Sequence, residues 1–222
     1  MSTQLNEFTA QTARPLPVII LADTSGSMAA EGKIEALNQA LREMILTFST
    51  TDDLRAEIYV SIITFGGEAR LHTNLMPAGQ VEFSDLVAAG GTPLGGALDL
   101  VMGLLEDQKN TLPRKPYTQT VILVSDGQPT DSGKWEGSLE QLSIQKSARN
   151  VDRIALAIGA DADVGMLQRF LANPEKKVFR ADDARRIKDF FQFVTMAVTT
   201  RTRSVNPNDV PKMQNPFDLD EL

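Results

Sequence analysis

The segment Val18-Ile19-Ile20-Leu21-Ala22 is a continuous apolar run that ends abruptly at a polar turn, Asp23-Thr24-Ser25-Gly26-Ser27. A short run of large aliphatic residues without polar alternation is typical of a parallel strand that is covered on both faces. Such a strand needs neighbouring strands at its sides and helices above and below it. This segment therefore predicts an α/β fold in which polar side chains emerge where a buried strand ends.

Strand-like and helix-like segments alternate along the rest of the chain. The predicted strands cover residues 18–22, 57–65, 68–73, 120–125, 153–158 and 177–180. Helices are predicted from about 34 and 94, and over about 139–150, 164–171 and 183–200, whereas 74–91 is predicted to be mostly loop. This order indicates a doubly wound, mostly parallel six-stranded sheet with helices on both faces. The Gly66-Gly67 pair predicts a hairpin, so the third strand should be an antiparallel edge.

Composition divides the chain of 222 residues into three regions. Residues 1–14 are polar and are predicted to form a flexible N-terminal arm, and residues 15–203 a single domain. Residues 204–222 carry three prolines and an acidic end, a composition that predicts a flexible tail. Phe217 and Leu219 within that tail are candidates for docking in a partner's groove.

Charge and cysteine content exclude several classes of function. The net charge of −7 argues against general affinity for nucleic acid or an anionic membrane, because both need clustered Lys and Arg. The chain has no cysteine, which excludes disulfides, thiolate zinc sites and cysteine nucleophiles. No segment resembles a signal peptide or a membrane span. A cytoplasmic location is therefore expected.

Oxygen-bearing side chains cluster at the predicted ends of strands. Asp23, Ser25 and Ser27 alternate, so they point the same way from an extended segment. Thr92 opens a predicted helix after Gly90-Gly91, and Asp126 follows the second buried strand. Ligands of such sheets bind outside the carboxyl ends of the strands. The five residues predict a site for a divalent cation that prefers oxygen, namely Mg²⁺ or else Mn²⁺ or Ca²⁺. Taken alone, the first three fit a helix cap equally well.

The three segments that carry these five residues, 23–27, 90–94 and 121–127, resemble in this order the metal-ion-dependent adhesion site (MIDAS) of von Willebrand factor A domains. The motif of that site is DxSxS, then Thr, then Asp. The resemblance covers roughly residues 14–203 and implies a Rossmann-like fold and a protein-binding function. It also implies that Ser25 and Ser27 bind the metal directly, and that Asp23, Thr92 and Asp126 bind it directly or through water. One position would stay open for a carboxylate of a partner protein.

Two stretches, 21–28 and 33–39, further resemble the small bacterial TerY-type proteins of tellurite and stress-resistance regions. That narrower resemblance implies a Ser/Thr protein kinase and a metal-dependent protein phosphatase as candidate partners. A subunit of an AAA+ ATPase assembly is another setting that the broader resemblance implies.

Enzymatic alternatives lack essential residues. A phosphohydrolase of the DxDx[T/V] type also starts with Asp at the end of the first strand, but it needs a second carboxylate where this chain has Ser25. A serine hydrolase needs a base, and His72 is the only histidine. No P-loop or dinucleotide fingerprint follows the first strand. The chain is therefore expected not to be an enzyme.

Four further polar or aromatic residues near predicted strand ends have simpler interpretations. Ser125 and Gln128 are candidates for hydrogen bonds around Asp126. Trp135 is expected to anchor the core, and Asp163 to act in a loop or helix cap rather than in a second metal site.

Overall fold

The first strand, β1 (Arg14–Asp23), lies inside a six-stranded sheet and is buried along almost its whole length. It begins four residues before the predicted run, and one residue before the predicted domain start. Pro15 and Pro17 are compatible with this because β1 pairs with β2 (Ala56–Gly66) from Arg14 onward, but with β4 (Thr120–Ser125) only from Val18 onward. The proline segment thus lies outside the β4 ladder, where a missing N–H group is tolerated, although the Pro15 carbonyl accepts the Tyr117 N–H group at 2.8 Å.

The computed structural model describes residues 13–51 and 53–210, and it confirms the predicted fold class. The sheet order is β3-β2-β1-β4-β5-β6, parallel except for the antiparallel edge strand β3. The remaining strands are β2 (Ala56–Gly66), β3 (Glu68–Pro77), β4 (Thr120–Ser125), β5 (Asp152–Ile158) and β6 (Phe179–Ala181). The helices are α1 (Lys33–Ser49), α2 (Leu94–Thr111), α3 (Lys134–Ile144), α4 (Val164–Leu171) and α5 (Ala184–Arg203).

Helices cover both faces of the sheet. One core contains α1 and α5, and the other contains α2, α3 and α4. β1 supplies both, with Val18 and Ile20 facing the first core and Ile19 and Leu21 the second. Successive side chains of a strand point to opposite faces, so only an uninterrupted apolar run can fill two cores at once.

The bounds of β3 and α3 also differ from the predicted ones by several residues. β3 continues to Pro77, four residues into the predicted loop, because its pairing with β2 resumes after a register shift near Ile62. α3 starts at Lys134, after Gly133 with its left-handed φ of 80°, so that Trp135 faces the core. It ends at Ile144 rather than near 150, because Gln145 is extended.

The described part of the predicted tail contacts the domain. The buried Arg201 guanidinium donates to the carbonyl oxygens of Pro207 and Thr118 and to Thr120 Oγ1. The Thr118 N–H group donates to Asn208 Oδ1 at 2.9 Å. Residues 204–210 are therefore attached beside the start of β4. The arm residues 1–12 and the tail residues 211–222, including Phe217 and Leu219, lie outside the described residues.

Within the described ranges, each helix is too short or too polar to span a bilayer.

Three loops meet at the carboxyl ends of β1 and β2: the loop after β1, the β2–β3 hairpin and the loop before α2. The Gly26 N–H group donates to the Gly90 carbonyl at 2.9 Å, and the Gly67 N–H group donates to the Gly91 carbonyl at 2.8 Å. Gly90 has a φ of 73°, and a Cβ there would lie 2.5 Å from Gly67 Cα. Glycine is therefore required at position 90 for two reasons. Other residues rarely adopt this φ, and a Cβ would clash with the backbone of Gly67, which cannot move aside as a flexible side chain can.

We expect Gly90→Ala to lower the free energy of unfolding by at least about 1–2 kcal/mol, the cost of a left-handed alanine alone. Such a loss lowers the melting temperature of a domain of this size by roughly 2–4 °C per kcal/mol. Gly103→Ala is the matched control, because a Cβ there meets nothing within 4 Å. It lies inside α2, where alanine should stabilise by about 0.5–1 kcal/mol. Equal melting temperatures for Gly90→Ala and the wild type, measured by circular dichroism, would contradict this account.

Candidate metal centre

Asp23, the last residue of β1, is fully buried and both of its carboxylate oxygens accept hydrogen bonds. The Ser25 N–H group donates to Oδ1 at 2.8 Å, and Ser125 Oγ donates to Oδ2 at 2.6 Å. Ser125 is the last residue of β4, which pairs with β1 up to Ala22 and Val124. The register of the two central strands therefore fixes the Asp23 side chain.

A chain of hydroxyl groups links this turn to Asp126. Ser25 Oγ lies 3.0 Å from Ser27 Oγ, and Ser27 Oγ donates to Asp126 Oδ1 at 2.7 Å. A hydroxyl has one proton, and that of Ser27 is donated in the hydrogen bond to Asp126. Ser27 Oγ must therefore accept the hydrogen bond from the Ser25 hydroxyl. Lone pairs on both hydroxyl oxygens remain free for another partner. The predicted residues Asp23, Ser25, Ser27 and Asp126 thus share one small region.

Thr92 reaches the same edge of the sheet through backbone hydrogen bonds. It is buried, and its N–H group donates to Thr130 Oγ1 at 2.9 Å while its carbonyl accepts from the Thr130 N–H group at 2.9 Å. Asp131, the next residue, accepts the Gly95 N–H group at the start of α2 at 2.8 Å. The loop after β4 therefore holds the Thr92 loop in place, a role for Thr130 and Asp131 that sequence reasoning missed.

Lys33 is the second omission and the more consequential one. Its Nζ lies 2.9 Å from Asp126 Oδ2, and its side chain is only 17% exposed. Lys33 is the first residue of α1, and helical side chains lean toward the N-terminus of their helix. The direction of the Lys33 side chain could have been predicted from its place at the start of α1. Its contact with Asp126 could not, because that contact depends on how α1 packs in the fold.

Burial dominates the electrostatics of Asp23. It raises the pKa of the Asp23 carboxyl above its ordinary value, and the nearby Asp126 carboxylate adds to that rise. The hydrogen bonds from Ser125 and Ser25 act in the opposite direction. Two carboxylates placed together away from water favour a cation beside them, because a cation offsets both the lost hydration and their mutual repulsion.

The donor set fits a hard divalent cation. Carboxylates and hydroxyls are the ligands that Mg²⁺, Mn²⁺ and Ca²⁺ accept. Among the described residues, no group of three or more His, Cys, Asp or Glu side chains could hold a metal ion, and this centre offers only the carboxylates of Asp23 and Asp126 beside its hydroxyls. Asp23, Ser25, Ser27 and Asp126 would hold such an ion. Thr92 lies on the adjoining loop, which the Gly26–Gly90 hydrogen bond joins to the Ser25–Ser27 turn, and the predicted ligand set remains a prediction to be tested.

The other residues singled out from the sequence lie away from this cluster or only support it. Ser125 bonds to Asp23 rather than to Asp126, and Gln128 is exposed. Trp135 is buried in the core, with the Arg169 guanidinium over its ring. Asp163 caps α4 by accepting the Met166 N–H group. His72 lies on the edge strand β3, with its Nε2 3.1 Å from the Ser84 carbonyl oxygen.

Known proteins share this fold and this region of sequence. Inter-alpha-trypsin inhibitor heavy chain H2 from Sus scrofa is 29% identical over 209 residues, covering 85% of this chain and 21% of that protein. The chain thus spans about a fifth of the length of the curated relatives it matches. These relatives are not TerY-type proteins, so the narrower resemblance finds no support in them.

Two solved structures show the fold. A von Willebrand factor type A protein from Catenulispora acidiphila superposes with a TM-score of 0.63 at 20% identity, over 83% of this chain and 42% of that one. Proximal thread matrix protein 1 from the mussel byssus, with zinc in its MIDAS motif, has a TM-score of 0.61 at 17% identity, over 85% and 46%.

A family model matches most of the described domain. It covers residues 18–193, from the middle of β1 into α5, and so includes all of the elements that build the candidate metal centre. The chain belongs to the von Willebrand factor type A domain family.

Proposed function

We propose that this chain is a non-enzymatic protein-binding module that captures an acidic residue of its partner through a divalent cation. The observation that carries the proposal is the hydrogen-bonded cluster of two buried carboxylates and two hydroxyls at the ends of β1 and β4. Membership of the von Willebrand factor type A family supports it, since the MIDAS of that family is a metal-dependent interaction site. The partner and the identity of the ion are part of the proposal.

The residues divide the work by charge. Asp23 and Asp126 supply the negative charge that retains the ion, and the neutral hydroxyls of Ser25 and Ser27 supply lone pairs without adding charge. A bound cation would place positive charge at the surface of the domain. A carboxylate of the partner can then bind the same cation. Because so few of the ligands are anionic, an arriving carboxylate gains more there than a water molecule does.

Hydrolysis is disfavoured by the same geometry. A phosphohydrolase would use a carboxylate at position 25 to move a proton, but Ser25 Oγ instead donates to Ser27 Oγ. His72 lies on the edge strand β3 and bonds to Ser84, so it does not serve the cluster as a base. These contacts favour binding over turnover.

The cellular setting is proposed from the sequence alone. A cytoplasmic location is part of the proposal, because the absence of cysteine in these 222 residues fits a reducing compartment. A kinase, a phosphatase or an AAA+ ATPase as partner, and a role in tellurite or stress resistance, rest on the resemblances described above. The negative net charge supports a protein partner rather than nucleic acid or membrane.

Asp23→Asn should remove metal binding and stabilise the metal-free protein. Asparagine keeps the oxygen that accepts the Ser25 N–H group, and its amide can donate to Ser125 Oγ, but it carries no charge into the core. At pH 7 in EDTA we expect a higher melting temperature than that of the wild type. Mg²⁺ should raise the melting temperature of the wild type only, since a ligand stabilises the fold that binds it.

The stability difference between Asp23→Asn and the wild type in EDTA should depend on pH. A carboxyl whose pKa is raised by folding contributes stability below its unfolded pKa of about 4 and loses that contribution as the pH rises through the folded pKa. The advantage of Asp23→Asn in EDTA should therefore grow from pH 4 to pH 7. Asp161→Asn, in the exposed loop after β5, is the matched control and should change neither the melting temperature in EDTA nor its rise with Mg²⁺. A full Mg²⁺ response in Asp23→Asn would contradict the ligand role.

Partner binding should depend on both the ion and Thr92. A partner isolated by affinity capture in Mg²⁺ is titrated against the wild type in Mg²⁺, the wild type in EDTA, and Thr92→Ala. We expect at least a tenfold loss of affinity in the last two cases, a loss of about 1.4 kcal/mol or more. Thr111→Ala, at the exposed far end of α2, should bind as the wild type does. Equal affinity in all cases would show that the partner uses another surface.

A further inference from the structure

Lys33 is directed at the candidate metal centre by an unusual turn. A short 3-10 helix, Gly26–Gly32, connects β1 to α1. Its helical conformation breaks near the end, where Glu31 and Gly32 both adopt left-handed φ values, 56° and 70°. A non-glycine residue with such a φ is uncommon, and here it ends the turn immediately before α1. Lys33 follows at once as the first residue of the helix, with its side chain leaning back toward the site.

The end of β5 leaves room for this side chain. Gly159, with a φ of 80°, follows β5, and a Cβ at that position would lie 3.3 Å from Lys33 Nζ. Gly159 is held there by its N–H group, which donates to the Ala181 carbonyl at 2.8 Å. The ammonium group therefore lies between the end of β5 and Asp126.

We propose that Lys33 is a built-in counter-cation of the metal centre, which shares Asp126 with the divalent ion and thereby weakens metal binding. This inference rests on the proposed function, because it concerns the affinity of that same site. The two oxygens of Asp126 are divided between the two sides: Oδ1 faces Ser27, and Oδ2 faces Lys33. One carboxylate thus has to serve an ammonium group and a divalent cation together.

The charges determine the direction of the effect. Asp23, Asp126 and Lys33 together leave the centre with one formal negative charge rather than two. A divalent cation is then attracted less strongly, and it is also repelled by the ammonium group across a poorly hydrated gap. The loaded centre keeps a net positive charge, which favours the arrival of a partner carboxylate. Lys33 would thus reduce affinity for the ion while increasing the attraction for the acidic partner.

A purely structural salt bridge predicts a different result. Removing one partner of a buried ion pair destabilises the fold, because the remaining charge is left without compensation. Loss of Lys33 would then lower the melting temperature without improving the affinity for metal. The two roles are separated by measuring metal affinity directly, since only the counter-cation role makes binding tighter.

The experiment is a calorimetric titration of MgCl₂ into the full chain at fixed ionic strength, after removal of EDTA. Lys33→Gln and Lys33→Met remove the charge, Lys33→Arg keeps it, and Asp23→Asn removes the site. Lys188→Gln is the matched control, because Lys188 also pairs with a carboxylate, that of Glu43, but on α5 and α1. Circular dichroism establishes that each variant is folded. If one of Lys33→Gln and Lys33→Met fails to fold, the other still removes the charge and carries the test.

We expect Lys33→Gln and Lys33→Met to bind Mg²⁺ roughly tenfold more tightly than the wild type, a gain of about 1.4 kcal/mol. Lys33→Arg and Lys188→Gln should stay within about threefold of the wild type. Unchanged or weaker binding in the uncharged variants, with wild-type binding that Asp23→Asn removes, would overturn the role of Lys33 and leave the proposed function intact. Absence of Mg²⁺ binding in the wild type and in every Lys33 variant would instead overturn the proposed function.

Discussion

The hydrogen bond from Ser125 Oγ to Asp23 Oδ2 joins the ends of the two central strands, and the candidate metal centre depends on it. It exists because β1 and β4 run parallel in a register that brings Asp23 beside Ser125. The apolar residues before them are buried between two layers of helices, so neither strand can slide without exposing its core. The same packing that stabilises the sheet therefore places a carboxylate where water cannot reach it.

A buried carboxylate needs compensation, and the loops around it supply part of it. Ser25 donates a backbone N–H group to Asp23, Ser27 donates a hydroxyl to Asp126, and Lys33 adds a positive charge beside Asp126. The remaining negative charge is the physical reason for expecting a cation. Recognition of a partner then follows from charge, since a cation held by so few anionic ligands attracts another carboxylate.

Sequence patterns located the polar cluster where a polar residue lies at the end of an apolar run. Asp23 ends one buried strand and Asp126 follows another, so the rule that ligands bind at the carboxyl ends of parallel strands places both of them at this edge of the sheet. Lys33 escaped prediction because its position depends on a left-handed Glu31, and glutamate carries no local signal for that conformation. The attachment of residues 204–210 escaped for a similar reason: Arg201 satisfies distant carbonyls that no local pattern reveals.

Together, the loops after β1 and β4 and the loop before α2 form the proposed cation site. Anomalous diffraction near the manganese absorption edge, from a crystal of the full chain grown with MnCl₂, tests for that site. We expect one strong anomalous peak within bonding distance of the Ser25 and Ser27 hydroxyl oxygens and beside Asp23 and Asp126. A well-ordered crystal with no peak in that cluster, or with manganese bound only elsewhere on the domain, would contradict it.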